Sequence, residues 1–406
     1  MRAREAIDLL SVRRPQRPDV LARCRTLADV RTAARRRLPA PVFDYVDGGA
    51  DDEISLAGNE AAYRRYSFHP RVLTDVSSPD LGTEILGRLS ALPLGLAPTG
   101  YTRMVHPDGE TAVAHAAAAA GIPYVLSTMA STSLEQVRRE VPRADLWFQL
   151  YVWKDRGVTR ELVSRAAEQG YRVLEVAVDT AVSGYRVRDV RNGLTIPPRI
   201  TPGSATRIAL RPGWWTRALR NPPLTFANLT GADGAGGFTV EGITAQFDPG
   251  VTWAQLAELR AQWPGRLVVK GPIGPGDART ARSLGVDAVH LSNHGGRQLD
   301  RTVPPVDLVR PVRAAVDEEA FGVLVDSGVR HGADIATALA LGADAVLVGR
   351  PYLYGLAVAQ QRGVAHVIDL LRTQLTRTMQ LLGDPGHPEL RALGPELLGH
   401  GVGRAG

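Results

Sequence analysis

The sequence predicts an α/β chain folded as a (β/α)8 TIM barrel, with an N-terminal helical extension and a long insertion after the fourth strand. Two observations carry that expectation. Eight short apolar runs recur along the 406 residues, each closing on polar or glycine residues and most followed by a helical pattern. The runs are apolar throughout rather than alternately, as expected of parallel strands covered on both faces. A doubly wound sheet would also alternate strands with helices, and the count of eight at this chain length favours the barrel over it.

In order, the strands are expected at Leu92–Thr99, Ile122–Thr128, Leu146–Val152, Val173–Asp179, Arg266–Gly271, Ala288–His294, Gly322–Gly328 and Ala345–Arg350. Helical spacing marks Gly109–Ala120, Val158–Gln169, Trp253–Trp263, Asp277–Leu284 and Ala333–Leu341. A barrel of this kind builds its site from the C-terminal ends of its strands. That rule selects Thr99, Thr128, Gln149, Tyr151, Asp179, Lys270, His294, Asp326, Gly328, Gly349 and Arg350 as one polar ring around a mouth.

The spacing breaks once, between Asp179 and Arg266, where Pro197-Pro198, Trp214-Trp215, Pro222-Pro223 and a glycine run over 231–237 lie. A segment this long is a lid, a binding loop or an unstructured insert. Its glycine run follows no strand and opens no helix, so it reads as a flexible linker rather than a dinucleotide loop. The tryptophan pair, with Arg207, Arg211, Arg217 and Arg220, reads first as a solvated loop and second as a membrane-surface contact. The expected organisation is a flexible tail over 1–25, one catalytic domain over 26–383 with the insertion at about 190–250, and a C-terminal tail over 384–406.

Composition narrows the function. With 44% hydrophobic and 22% charged residues the chain is of ordinary globular type. Its apolar runs fall far short of the ~20 residues that span a bilayer, and its Arg-rich start lacks the apolar core of an export signal. One cysteine, Cys24, leaves no internal disulfide framework, so a cytoplasmic protein is expected. The net charge of +6 is scattered rather than blocked, which argues against nucleic acid as a partner. Of 48 basic residues only Lys154 and Lys270 are lysines. A lysine closing a strand in a chain that otherwise uses arginine suggests a compact ammonium with a task a planar guanidinium could not do.

The densest chemistry is in Ser292-Asn293-His294-Gly295-Gly296-Arg297-Gln298-Leu299-Asp300, at the end of the sixth run. It sets a group that titrates near neutrality three residues from a guanidinium able to grip a carboxylate through two hydrogen bonds. The last two runs end in Asp326-Ser327-Gly328-Val329-Arg330 and Gly349-Arg350, and loops after strands seven and eight of such barrels often hold a phosphate. Together with Lys270 they point to a phosphorylated cofactor across the barrel top.

That nonapeptide resembles the active-site motif of the FMN-dependent 2-hydroxy acid dehydrogenases and oxidases, and the likeness runs from about Leu27 to Gly383. Within the family the chain is most similar to L-lactate dehydrogenases of the cytochrome- or quinone-linked type. The residues that carry this are Phe43-Asp44-Tyr45-Val46-Asp47-Gly48-Gly49-Ala50, Ala97-Pro98-Thr99-Gly100, Trp147-Phe148-Gln149-Leu150-Tyr151 and Phe247-Asp248-Pro249. The resemblance implies oxidation of an L-2-hydroxy acid, L-lactate first, to the 2-oxo acid. It makes His294 the base that removes the proton on the substrate 2-carbon or hydroxyl while flavin N5 takes a hydride equivalent. Asp179 pairs with the imidazole, Arg186 and Arg297 clamp the carboxylate with the Tyr45 hydroxyl, and Tyr151 bonds the substrate hydroxyl. Lys270 sits by the N1 and C2 oxygen edge of the flavin. Thr99, Gly100, Ser127 and Gln149 touch the isoalloxazine, Asp326 the ribityl chain, and Gly328, Arg330, Gly349 and Arg350 the phosphate. No metal is implied.

Two departures stand out. The family usually has Thr where this chain has Ala177, a loss of one flavin hydrogen bond on the order of 1 kcal/mol, and Ala181 replaces a common Pro. Gly100 stands where some family oxidases carry Ala, which leans toward a quinone or protein electron acceptor, or toward a larger substrate. An oxygen-using oxidase and a tailoring enzyme for a mandelate-like acid are the alternatives, with a different phosphate-binding barrel or a silent scaffold more remote. A homo-oligomer, specifically a tetramer, and at most peripheral contact with the inner face of the cell membrane complete the expectation.

Overall fold

A computed structural model describes residues 19–193, 210–229, 245–316, 320–384 and 386–400. Eight parallel strands close into one barrel: β1 (Leu94–Leu96), β2 (Tyr124–Ser127), β3 (Leu146–Leu150), β4 (Val173–Ala177), β5 (Arg266–Gly271), β6 (Ala288–Leu291), β7 (Gly322–Val325) and β8 (Ala345–Val348). Neighbours in sequence are neighbours in the ring, and β8 closes it by pairing Val346 with Leu94 and Val348 with Leu96. All eight predicted strands are present. Most end a few residues early, because their last polar and glycine residues leave the ladder to line the mouth. His294, Gly295, Gly296, Ser327 and Gly328 all have positive φ, which no strand accommodates.

Alternation then sorts the side chains. Val125, Trp147, Val173, Val268, Ala288, Leu324, Ala345 and Leu347 fill the barrel interior, while the opposite strand faces join the larger core under the helices. The same parity carries Gln149 and Tyr151, Ala177 and Asp179, and Lys270 upward along the inward line of their strands.

The helices form where expected, shifted by their caps. Gly109–Ala120 has the predicted bounds and stops at Gly121, with φ +68°. Arg156–Glu168 starts before Val158 because the Asp155 side chain caps it by accepting from Gly157 N. Trp253–Gln262 opens on a capping box made by Thr252 and Gln255. At the N-terminal side, Leu27–Arg37, Ala40–Asp47 and Ile54–Tyr63 supply the helical extension. The last strand leads into the long helix Arg350–Leu382, kinked at Ala359 and Gln360.

Three expectations about chain organisation differ from what is seen. Residues 19–25, expected to be tail, form a 3-10 turn that buries Leu21 and Cys24, and His366 donates to the Cys24 carbonyl at 2.8 Å. The stretch after 384 is not a tail through residue 400: Leu398–His400 pairs antiparallel with Tyr66–Phe68, and Leu390 and Leu397 are buried. The insertion is not a free loop where it is described. Trp214 donates to the Met104 carbonyl at 2.9 Å, Phe226 packs edge-on against Tyr101, and buried Asn228 accepts from Leu134 N and donates to the carbonyls of Ser127 and Thr128. Apolar and amide side chains without periodicity tie it down, a pattern that neither helix nor strand templates detect. Pro197-Pro198, Arg207 and the glycine run over 231–237 lie outside the described residues, as does the tail before residue 19.

Candidate active site

The strand ends converge on a cleft at the C-terminal mouth of the barrel, about 1240 Å³ of empty space with its open side included. Tyr45, Thr99, Gly100, Tyr151 and Arg186 line one part of it. Lys270, His294, Arg297, Asp326, Gly328, Arg330, Gly349 and Arg350 line the rest. The remaining predicted residues stand just behind. Asp179 backs His294, while Ser127 donates to Gln149 Oε1 at 3.0 Å in the buried layer between β2 and β3. Thr128 is turned into the wall, its hydroxyl donating to the Gln149 carbonyl at 2.6 Å.

His294 is held in the left-handed region at φ +58°, a conformation a non-glycine residue keeps only when its surroundings enforce it. Those surroundings are visible: the Ser292 hydroxyl accepts from His294 N at 3.0 Å, and Gly296 N donates to the Asn293 carbonyl at 2.9 Å. The ring is thereby fixed with two different sides. Its Nδ1 lies 3.1 and 3.2 Å from the Asp179 carboxylate oxygens, and its Nε2 lies 3.3 Å from the Tyr151 hydroxyl. Burial holds the imidazole below its ordinary value, against the upward pull of Asp179. Burial pushes Asp179 the other way, but its interaction with His294, a hydrogen bond from Nδ1 included, and the charge of Lys270 keep its carboxyl below the usual range. The neutral ring therefore donates from Nδ1 to an ionised carboxylate and offers the Nε2 lone pair toward the cleft.

The cations are the second feature. Arg297 donates to the carbonyls of Tyr45 and Gly48 and stacks over the Tyr45 ring at 5.0 Å. Arg350 donates to the carbonyls of Val46 and Gly48, and Arg330 pairs with Glu60 at 3.1 Å. Arg186 Nε is buried without a partner. Burial, then the charge of Arg297, pulls Arg350 down to about 10 and lowers Arg186 as well. Guanidiniums whose charge is met largely by neutral carbonyls are under-compensated, and the ligand that suits them is an anion. Arg350 also opens the helix that follows β8, so its N-terminal N–H groups add to the same field.

These residues fit FMN. A phosphate suits Arg330, Arg350 and the helix start. A ring system with hydrogen-bonding edges suits Gln149, whose buried Nε2 has no partner, and Lys270, buried among Asp326, Asp179 and Glu175. Burial alone would lower the Lys270 ammonium, but those carboxylates raise it, so it stays charged. Gly295 makes room: a side chain there would run into the Arg350 guanidinium. Gly100 is also tightly set, since a Cβ on it would lie 2.9 Å from Met129 Cβ.

Several residues of the site were not selected from the sequence. Ser292 accepts from Lys270 Nζ at 2.9 Å, Ser327 accepts from Gly295 N at 3.1 Å, and the amides of Asn59 and Asn293 bond each other reciprocally at 2.9 and 2.7 Å. Ser292, Asn293 and Ser327 lie inside the motifs already quoted, next to the residues they position. Glu175 and His290 are fully buried in the barrel, and a charged residue at an inward position of an apolar strand was the signal for them.

Residues 34–399 match the model of the FMN-dependent dehydrogenase family. The chain is 44% identical over 405 residues to a putative L-lactate dehydrogenase of Mycobacterium tuberculosis, covering 97% of each protein. It is 42% identical over 354 residues to an L-lactate oxidase of Nostoc sp., covering 86% of this chain and 92% of that one. A crystal structure of the monotopic membrane protein (S)-mandelate dehydrogenase matches with a TM-score of 0.87 at 38% identity, over 92% of this chain and 99% of that one.

Proposed function

Because the chain belongs to the FMN-dependent dehydrogenase family and so performs FMN-dependent oxidation of a 2-hydroxy acid, we propose that its substrate is an L-2-hydroxy acid, L-lactate first, and that a quinone or a protein accepts the electrons. The observation that carries the residue assignments is a neutral His294 backed by Asp179, facing under-compensated Arg186 and Arg297 across one cleft. Bound FMN supplies the acceptor for the hydride equivalent from the substrate 2-carbon.

The protein's own groups do the rest. Arg186 and Arg297 grip the carboxylate, joined by the Tyr45 hydroxyl, and so fix which hydrogen faces the cofactor. The Tyr151 hydroxyl, beside His294 Nε2, orients the substrate hydroxyl. His294 Nε2 takes the proton on the 2-carbon or its hydroxyl, and Asp179 holds the ring's tautomer and stabilises the imidazolium that results. Thr99, Gly100, Ser127 and Gln149 hold the flat ring system, Asp326 the ribityl chain, and Gly328, Arg330, Gly349 and Arg350 the phosphate. With FMN bound, the Lys270 ammonium would stabilise the negative charge that reduction adds.

A second reading, oxidation of a bulkier mandelate-like acid, is favoured by the wall at Gly100, which puts no side chain into the cleft. Anaerobic stopped-flow reduction with L-lactate, L-mandelate and longer L-2-hydroxy acids separates the two. Reoxidation with oxygen or with a quinone analogue then identifies the acceptor and tests the oxidase alternative. Purified protein that is colourless and cannot be reconstituted with FMN would sink the whole assignment.

The location we propose is cytoplasmic, with peripheral membrane contact at most. No helix among the described residues is long and apolar enough to cross a membrane. Contact would run through the helix Pro212–Leu219, where exposed Leu210 and Leu219 accompany Arg211, Arg217 and Arg220. Co-sedimentation with anionic vesicles tests it. A homotetramer is proposed alongside, to be checked by light scattering.

A further inference from the structure

Beneath the mouth lies a charged pair that none of these roles uses. Glu175 of β4 and His290 of β6 are fully buried, with Glu175 Oε2 2.7 Å from His290 Nδ1. On its other side, His290 Nε2 lies 3.3 Å from Asp326 Oδ2, and that oxygen lies 3.6 Å from Lys270 Nζ. Four ionisable groups of alternating sign therefore run in one chain through the barrel interior. Their inward neighbours Val173, Val268, Ala288 and Leu324 are apolar.

Hydrogen-bonding logic sets the state of the ring. A neutral imidazole has one N–H and would turn a lone pair toward one of its two flanking carboxylates, whereas the imidazolium donates from Nδ1 to Glu175 and faces Asp326 with its charge on Nε2, which makes no hydrogen bond. Burial alone would lower its titration, but Glu175 and then Asp326 raise it, to about 9. His290 is thus positive at neutral pH, with the Glu175 carboxyl group hydrogen-bonded on its Nδ1 side.

Strand register gives this pair a direction. Lys270 pairs with Ala177 on one side and with His290 on the other, so His290 stands level with Lys270. Glu175 pairs with Val268, two residues further from the mouth, which is roughly 6.6 Å deeper at about 3.3 Å per residue. The positive end points to the mouth and the negative end to the barrel floor. A buried ion pair is weak evidence for stability, since well-packed apolar residues of similar volume are often neutral or stabilising replacements.

We propose that Glu175 and His290 are a positioning pair beneath the cofactor site: they anchor Asp326 through Oδ2 and present a fixed positive end that favours the reduced, more negative form of bound FMN. Asp326 Oδ1 is then left to accept from Ser327 Oγ, at 2.7 Å, beside the cleft. This deepens the functional reading above and rests on it, since only a cofactor that gains charge at the mouth would feel the pair's direction.

The test is a Glu175→Leu, His290→Leu double variant, compared with the parent as FMN-loaded holoenzyme by dye-equilibrated redox titration. Removing the dipole is expected to make flavin reduction about tenfold less favourable, a fall of about 30 mV for a two-electron couple. A midpoint equal to the parent's, or higher, overturns the proposal and leaves the functional reading standing. An unaltered chain that takes up no FMN defeats that reading, and the proposal with it. Should the double variant fail to fold, nitrogen-15 shifts of His290 in the unaltered holoenzyme decide. Two protonated ring nitrogens at neutral pH support the proposal, and one bare nitrogen overturns it.

Discussion

At His294 the two ring nitrogens meet opposite surroundings, a carboxylate on Nδ1 and a hydroxyl with open cleft on Nε2, and the asymmetry makes the residue a base rather than a structural histidine. His294→Ala should keep FMN bound while anaerobic flavin reduction slows by about 10²–10⁴, the usual yield of a positioned base. Reduction at near-parental rate would remove the residue from this role. Burial places the imidazole below its ordinary 6.5, so the basic form persists to more acid pH than in a free histidine. The kcat/KM profile should therefore rise with pH through a midpoint below 6.5 and stay flat at neutrality. Asp179 is the group pulling that midpoint up, so Asp179→Asn should move the limb further toward acid while lowering the plateau. An acid limb above 6.5 in the parent would contradict the burial that the site shows.

At the scale of elements, the insertion after β4 behaves as a strap rather than a linker where it is described. Asn228 meets Leu134 N with its oxygen and the carbonyls of Ser127 and Thr128 with its nitrogen, joining the strap to the end of β2. Asn228→Ala takes the partner from buried Leu134 N and the amide donor from the Thr128 carbonyl, while the Ser127 carbonyl keeps Ala130 N, and should cost about 1–3 kcal/mol, read as a lower urea midpoint with an unchanged slope. This link was not legible in the sequence, because one amide in a segment without periodicity carries no pattern. The strands were legible, since a continuous apolar run closing on Lys270 or Asp326 is a strong signal of a buried parallel strand and its functional end. Their last residues were assigned too generously, because glycine and αL positions belong to the mouth. Glu175 and His290 escaped for the opposite reason: each sits in a run apolar enough to mask it, and only inward parity with Lys270 and Asp326 exposes them.

For the whole molecule, charge governs how the fold responds to its cofactor. Arg186 and Arg350 are half-buried with their titration pulled down, and both feel the repulsion of Arg297, so the mouth is a cluster of like charges held by the barrel. Such a cluster favours any anion that binds the folded chain and not the unfolded one, and the stabilisation follows mass action, about 2.7 kcal/mol at a hundredfold excess over Kd. Stripping FMN should therefore lower the Tm, and adding it back should restore the Tm with a concentration dependence that yields its Kd. Inorganic phosphate should raise the Tm of the stripped protein by a smaller step, because it meets Arg330, Arg350 and the helix start but not Gln149 or Lys270. Arg350→Met should abolish most of the phosphate step while raising the stability of the stripped protein, since it removes an under-compensated, half-buried cation. A stripped protein whose Tm ignores both FMN and phosphate would mean that the arginines satisfy one another's surroundings without a ligand, and the anion site would have to be given up.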